Sequence, residues 1–245
     1  MNQRYERQTR LPEIGEAGQA SLSSAKAVVI GAGGLGSPVL YYLAAAGVGT
    51  VRIIDSDTVD ITNLNRQIIH FEEDIGRDKT QAAKEKLQRL RSDMRINTFS
   101  ARLDENNAAE LLSGYDIVIS CVDNIITRYI LNSSCAVAGV PLINGGVQGF
   151  EGYVMTVLPG DTPCYECVFP RVDGDCQADT ENIGVLGAVA GVLGSMMAVE
   201  AIKVITGIPV DPYFYYVDLL SCRISPIAAK RAPDCPACAS AHRKT

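Results

Sequence analysis

The run KAVVIGAGGLGSPVLYYLAAAGVGTVRIID, residues 26–55, decides the fold. Lys26 to Ile30 is a short unbroken apolar run of the kind a fully buried strand requires. Gly31-Ala-Gly33-Gly34-Leu-Gly36 follows, then a helix over Leu35 to Ala46 and a second strand over Thr50 to Ile54 that ends on Asp55. A strand, a glycine loop, a helix and a strand, with an acid about 20 residues past the loop, is the spacing of a dinucleotide-type fold. Glycine lets the backbone approach phosphates, the helix N-terminus favours their charge, and Asp55 can accept from ribose hydroxyls. A purely structural turn is the bland alternative, and the flanking strand and helix weigh against it.

Outward from this unit the alternation continues. Helices are expected over Lys79 to Arg91, Asp104 to Leu112 and Ile125 to Ala138, and strands over Met94 to Phe99, Asp116 to Ser120 and Pro141 to Gly145. Gly152 to Leu158 then alternates like an antiparallel strand, Val172 to Asn182 reads as an exposed loop, and Tyr213 to Leu219 and Cys222 to Ile227 read as strands. The expected architecture is a Rossmann-like, doubly wound α/β fold. Its mainly parallel sheet is continued by antiparallel strands in one domain spanning 1–245. Within it, residues 1–25 form an arm and helix, 26–150 a nucleotide-binding half and 151–245 a second half.

The 245 residues are 47% hydrophobic and 20% charged, with a net charge of -6. That balance fits one sizeable core and argues against nucleic acid or an anionic membrane as the main partner. Ile183 to Val199 carries no charge but falls short of the ~20 residues of a bilayer span, so a buried or subunit-interface helix is expected. Small residues at Gly187, Ala190, Gly191, Gly194 and Ser195 would allow close packing there.

Eight cysteines could signal a disulfide scaffold. The length, the paired spacing and the absence of an apolar signal core in MNQRYERQTRLPEIG point instead to a reducing cytoplasm. Two Cys-x-x-Cys pairs, Cys164/Cys167 and Cys235/Cys238, form a four-thiolate set suited to structural zinc, which would tie residue 164 to the C-terminal region. The competing reading is a pair of redox dithiols, although no thioredoxin-type helix follows either pair. Cys121, Cys135 and Cys222 lie in or beside apolar segments and are expected to be small core residues.

Between Asp57 and Lys79 the chain carries Asn63, Arg66, Gln67 and Arg77, a concentration of polar and cationic groups suited to a triphosphate. On spacing alone, a solvated loop with a basic first helical turn fits equally well. Asp123, in Cys121-Val-Asp-Asn124, follows a parallel strand at the edge where doubly wound sheets bind ligands, and a carboxylate there suits Mg²⁺. Alternatively, Asp123 or Asn124 caps the next helix.

In this order, GxGGLG, IDSDTVDxTNLNRQ, GRDK, CVDN, CYEC and CPAC resemble the ubiquitin-activating-type adenylyltransferases, and more narrowly the MoeB/ThiF family. The resemblance runs from about Arg4 to Cys238. It implies a homodimer that uses ATP and Mg²⁺ to adenylate the C-terminal Gly-Gly carboxylate of a ubiquitin-like sulfur carrier in thiamine or molybdopterin synthesis, with a separate sulfur donor. By resemblance, Asp55 holds the ribose, Asn63, Arg66 and Lys79 contact the phosphates, and Asp123 holds Mg²⁺. Asp57, Gln67 and the glycine loop complete the nucleotide site. Arg7 matches an arginine that reaches the neighbouring subunit's site. Cys176 falls where some members link covalently to the carrier, and a spectator thiol is the other reading. An NAD-dependent oxidoreductase would use the same glycine loop and Asp55 but leaves Arg66, Lys79 and Asp123 without a role. A non-catalytic carrier-binding scaffold is the remaining alternative.

Overall fold

The computed structural model describes residues 3–171 and 184–239. Its elements in chain order are α1 (Glu6–Thr9), α2 (Gly15–Ser24), β1 (Lys26–Ile30), α3 (Gly36–Ala46), β2 (Thr50–Ile54), α4 (Lys79–Leu90), β3 (Arg95–Phe99) and α5 (Ala108–Leu112). Then come β4 (Ile117–Ser120), α6 (Ile125–Ala138), β5 (Leu142–Gln148), β6 (Glu151–Val157), α7 (Tyr165–Val168), α8 (Gly187–Thr206), β7 (Tyr213–Asp218) and β8 (Arg223–Ala228).

The strands form one sheet in the order β3-β2-β1-β4-β5-β6-β7-β8. Pairing is parallel from β3 through β5 and antiparallel from β5 through β8. The order reverses at β1, whose neighbours are β2 and β4, and this is the switch point at which doubly wound sheets hold ligands.

Both faces of the parallel half are covered, so its strands are apolar on successive residues rather than alternately. Ala27, Val29, Val51, Ile53, Ile117 and Ile119 pack on the face of α3, α4 and α8. Val28, Ile30, Ile54 and Val118 face α5, α6 and the paired cysteines.

Three expectations change. The helix expected from Asp104 begins at Ala108, because the Asp104 carboxylate accepts from the N–H groups of Asn106 (2.8 Å) and Asn107 (3.1 Å). That local loop competes with the first helical turn. The segment expected to be too short for a bilayer span lies on a helix that runs on through Glu200 and Lys203 to Thr206, and at 20 residues with mean hydropathy 1.8 α8 is long and apolar enough to cross a membrane. It lies instead against α2, α3, β5 and β6, and carries Glu200 paired with Lys203 at 2.7 Å. Finally, Cys222 is exposed in the β7–β8 turn at φ 54, while Cys121 and Cys135 are buried as expected. Asp218 shapes that turn by accepting from the N–H groups of Leu220 and Ser221.

Candidate nucleotide site and metal centre

The glycine loop connects the end of β1 to the first turn of α3. Gly31 has φ +94, and a Cβ there would sit 2.7 Å from the Cys121 carbonyl oxygen at the end of β4. A Cβ on Gly36 would overlap the Gly31 carbonyl. Both positions therefore require glycine, one for backbone conformation and close approach and the other for space.

Around this loop the sheet edge collects most of the expected residues. Asp55 accepts from the N–H of Ala32 (2.8 Å) through Oδ2 and of Asp57 (2.9 Å) through Oδ1. Burial raises its carboxyl above the ordinary range, and the two N–H donors and Lys79 offset only part of that. A carboxylate has about four acceptor sites, so both oxygens can still take a ribose hydroxyl.

Lys79, 5% exposed at the start of α4, reaches back to Asp57 at 2.9 Å. Arg66 and Gln67 lie over Gly34 and Gly33: a Cβ on Gly34 would be 3.6 Å from the Arg66 Cγ, and one on Gly33 3.6 Å from the Gln67 Nε2. Arg66 donates to the Thr62 carbonyl at 2.8 Å, and the Gln67 Oε1 is buried without a partner. Asn63 belongs to a capping box, its Oδ1 accepting from the Asp60 N–H at 3.2 Å. The α8 N-terminus closes the group, since a Cβ on Gly34 would be 3.3 Å from the Ala190 Cβ.

At the β4 edge, Asn124 caps α6 by accepting from the Thr127 N–H at 2.8 Å. The cap is thus Asn124 rather than Asp123. Asp123 is exposed and, among the described residues, has no hydrogen-bond or ion-pair partner. An unpaired carboxylate next to a phosphate-sized loop fits a hard cation.

Of the remaining cations, one departs from the expectation. Arg77 is committed to Asp74 (3.0 Å) and Glu85 (2.5 Å), which leaves Lys79 and Arg66 as the cations beside the loop. Arg7 is exposed on α1, where its neighbour Gln8 donates to the Ala46 carbonyl at the C-terminal end of α3. The glycine loop is at the other end of that 11-residue helix, about 16 Å away along the axis at 1.5 Å per residue. Arg7 is therefore remote from its own chain's loop. Cys176 lies outside the described residues.

Arg128 was not anticipated. It is 7% exposed and donates to the Asn144 Oδ1 (2.7 Å), the Gly145 carbonyl (2.5 Å), the Tyr153 hydroxyl (2.7 Å) and the Val122 carbonyl. It thereby ties the end of β4, beside Asp123, to the interior of β5 and β6. The available signal was helical phase, for Thr127, Arg128, Leu131, Asn132 and Cys135 form one buried face of α6.

The four paired cysteines converge away from the loop, on the α6 side of the sheet. Their sulfurs lie within 4.8 Å of one another. Cys164–Cys235 and Cys167–Cys238 are 3.6 Å apart and Cys164–Cys167 3.7 Å. A tetrahedron with Zn–S of about 2.3 Å has S···S edges of about 3.8 Å, so the cluster has the dimensions of a closed zinc site. Donors already surround it: the Asn132 Nδ2 is 3.5 Å from the Cys164 sulfur and the Ala232 N–H 3.4 Å from that of Cys167. Burial pushes the Cys164 thiol far above its ordinary range, so metal loading must displace its proton.

Comparison with known proteins agrees with this arrangement. The ThiF family model matches residues 5–237. The chain is 41% identical over 243 residues to the sulfur carrier protein adenylyltransferase of Thermus thermophilus, covering 96% of this chain and 90% of that protein. It is 38% identical over 238 residues to the SAMP-activating enzyme E1 of Haloferax volcanii, covering 96% and 88%. Among solved structures, E. coli MccB crystallised with ATP superposes with a TM-score of 0.84 at 26% identity, over 97% of this chain and 75% of that one. With a glycine loop that only glycine can build, cations and a partnerless carboxylate around it, and a match along nearly its whole length, the chain belongs to the ThiF family and is an adenylyltransferase.

Proposed function

We propose that the protein uses ATP to adenylate the C-terminal Gly-Gly carboxylate of a small ubiquitin-like sulfur carrier, releasing pyrophosphate, in thiamine, molybdopterin or related sulfur-cofactor synthesis. The observation that carries this reading is the gathering of Asp55, Asp57, Arg66, Gln67 and Lys79 around the glycine loop, with Asp123 partnerless at the adjoining strand end. The named carrier substrate of the Thermus relative supplies the acceptor class.

A terminal carboxylate is already ionised at pH 7, so its attack on the α-phosphate needs no strong base. Alignment and charge neutralisation are what the site must supply. Asp55 would hold the ribose, Asn63, Arg66 and Lys79 the phosphates, and Asp123 a Mg²⁺ that neutralises the departing pyrophosphate. When phosphates arrive, Lys79 turns from Asp57 to them. Sulfur would come from a separate donor, and the reducing cytoplasm suits four unoxidised thiols.

A homodimer completes the site. Arg7 is remote from its own loop, which suits insertion into a neighbour's. An apolar hollow of about 720 Å³, lined by Tyr41, Tyr42, Ile68, Val192, Met196 and Val199 among others, lies between α3, α8 and the antiparallel strands and offers the surface a second copy would cover. The four cysteines would hold zinc as a structural staple.

The test is ATP–pyrophosphate exchange with Mg²⁺ and a panel of Gly-Gly carriers, with Asp123→Ala as control. Exchange that depends on one carrier and is lost in Asp123→Ala is expected. Carrier binding without exchange in either form would support the scaffold reading instead.

A further inference from the structure

His70 is a titratable side chain beside the glycine loop to which the reaction gives no task. His70 is 3% exposed, and its Nε2 lies 2.9 Å from the Ala32 carbonyl oxygen in the glycine loop. A carbonyl only accepts, so Nε2 carries the proton. The other nitrogen, Nδ1, is buried without a partner, and a second proton there would be stranded. Burial correspondingly holds the ring below the ordinary histidine range, and the ring is neutral at pH 7.

Ala32 is gripped on both sides. Its N–H donates to Asp55 at 2.8 Å while its carbonyl accepts from His70. In a trans peptide the C=O and the following N–H point in opposite directions. Pinning the Ala32 carbonyl toward His70 therefore turns the Gly33 N–H the other way, and among the described residues that N–H has no acceptor. A free loop N–H at the start of a helix is what a phosphate oxygen requires. His70 also ends the segment that carries Arg66 and Gln67, so the same bond sets those side chains in register with the loop.

We propose that His70 is a positioning residue for nucleotide binding: as a neutral imidazole donating from Nε2 to the Ala32 carbonyl, it fixes the Ala32–Gly33 peptide with its N–H toward the phosphates. The inference rests on the nucleotide reading of the glycine loop. Without the bond the peptide can rotate and present its carbonyl to the triphosphate.

The test compares the wild type with His70→Gln, whose terminal NH₂ preserves a donor at similar reach, and His70→Phe, which keeps the ring volume and removes the donor. The affinity for ATP with Mg²⁺ is measured without carrier, and KM for ATP and kcat are measured in the exchange reaction. His70→Phe should weaken ATP binding about tenfold and raise KM with kcat largely retained, because the contact serves ground and transition states alike. His70→Gln should recover most of the affinity, which packing alone would not predict. Equal affinity in all three proteins, or equal loss in both variants, overturns the proposal. A wild type that binds no ATP overturns the nucleotide reading first, and this one with it. Nitrogen-15 NMR adds a readout independent of any variant, and with two histidines in the chain it is easily assigned. A neutral ring protonated at Nε2 is expected at pH 7, and a cationic ring or the Nδ1–H tautomer refutes the assignment.

Discussion

Removing metal from the four-cysteine cluster should cost the protein a large share of its stability. The cluster joins Cys164 to Cys235 and Cys167 to Cys238, each pair 71 residues apart along the chain. Treated as a cross-link that restricts the unfolded chain, closing a loop of that length contributes roughly 4 kcal/mol. Zinc affinity in small finger peptides corresponds to about 10 kcal/mol or more, so the loop estimate is a lower figure. For a chain of this size each kcal/mol moves the melting temperature by about 2–4 °C, so a loss of 4 kcal/mol lowers it by about 10 °C. The effect should begin around the cluster, because Cys164, Cys235 and Cys238 are buried there with Ala237 and the inner face of α6. The assay is metal content and thermal unfolding of the protein as purified, after chelation, and after zinc is returned, with Cys235→Ser as a second route to the open cluster. A protein shown to have lost one zinc per chain that melts at the original temperature would refute the reasoning.

Asp74→Asn should destabilise the fold by about 3 kcal/mol or more, because the fully buried Asp74 carboxylate pairs with Lys86, whose side chain is 6% exposed, and the variant leaves that ammonium unbalanced. Chemical denaturation measures it, and a loss under 1 kcal/mol would contradict it. The same pair predicts acid sensitivity. Burial alone would raise the Asp74 carboxyl, but hydrogen bonds from Lys86 and the Phe71 N–H, with Arg77 nearby, hold it below the usual range. Its contribution is therefore complete above the unfolded value near 3.9 and is lost as pH falls through the lower folded value, a dependence Asp74→Asn should lack. Arg7→Ala should abolish exchange with an unchanged melting temperature. Mixed dimers with Asp123→Ala should regain one working site of two, and inactive verified heterodimers would contradict an arginine acting in the neighbouring subunit.

What could be read from the sequence was governed by local pattern. β1, β2 and α6 begin and end where apolar runs and glycines place them. The cysteine pairs were legible because a tetrahedral metal imposes its own spacing. Boundaries failed where a side chain competes with the backbone, as Asp104 does ahead of α5. Cys222 failed because an apolar neighbourhood in sequence does not specify which residue occupies the turn, and Asp218 puts the turn there. Spacing alone left Arg66, Lys79 and Arg77 equivalent. The resemblance singled out Arg66 and Lys79, and packing removes Arg77 by placing Asp74 and Glu85 against it.

The least legible residues are the ones that join the two centres. α6 begins beside Asp123 with its Asn124 cap, continues through Arg128, and one turn further on presents Asn132 to the cysteine cluster. Asn132 uses both ends of its amide there, accepting from the Tyr165 N–H at 2.8 Å and donating toward the Cys164 sulfur. From Asn124 to Asn132 the helix spans about 12 Å, so one rigid element carries the frame of the cysteine cluster to the strand end that presents Asp123. Polar side chains on the inner face of a helix need partners from distant parts of the chain, and those partners cannot be inferred from neighbours in sequence. Arg128 finds its partners on β5, β6 and the β4 end, whereas Asn132 finds its own around Cys164. A four-thiolate cluster suited to zinc and the candidate nucleotide site thus share a helix. The physical reason is that a carboxylate left without a partner of its own is held in place only by the rigidity of what surrounds it.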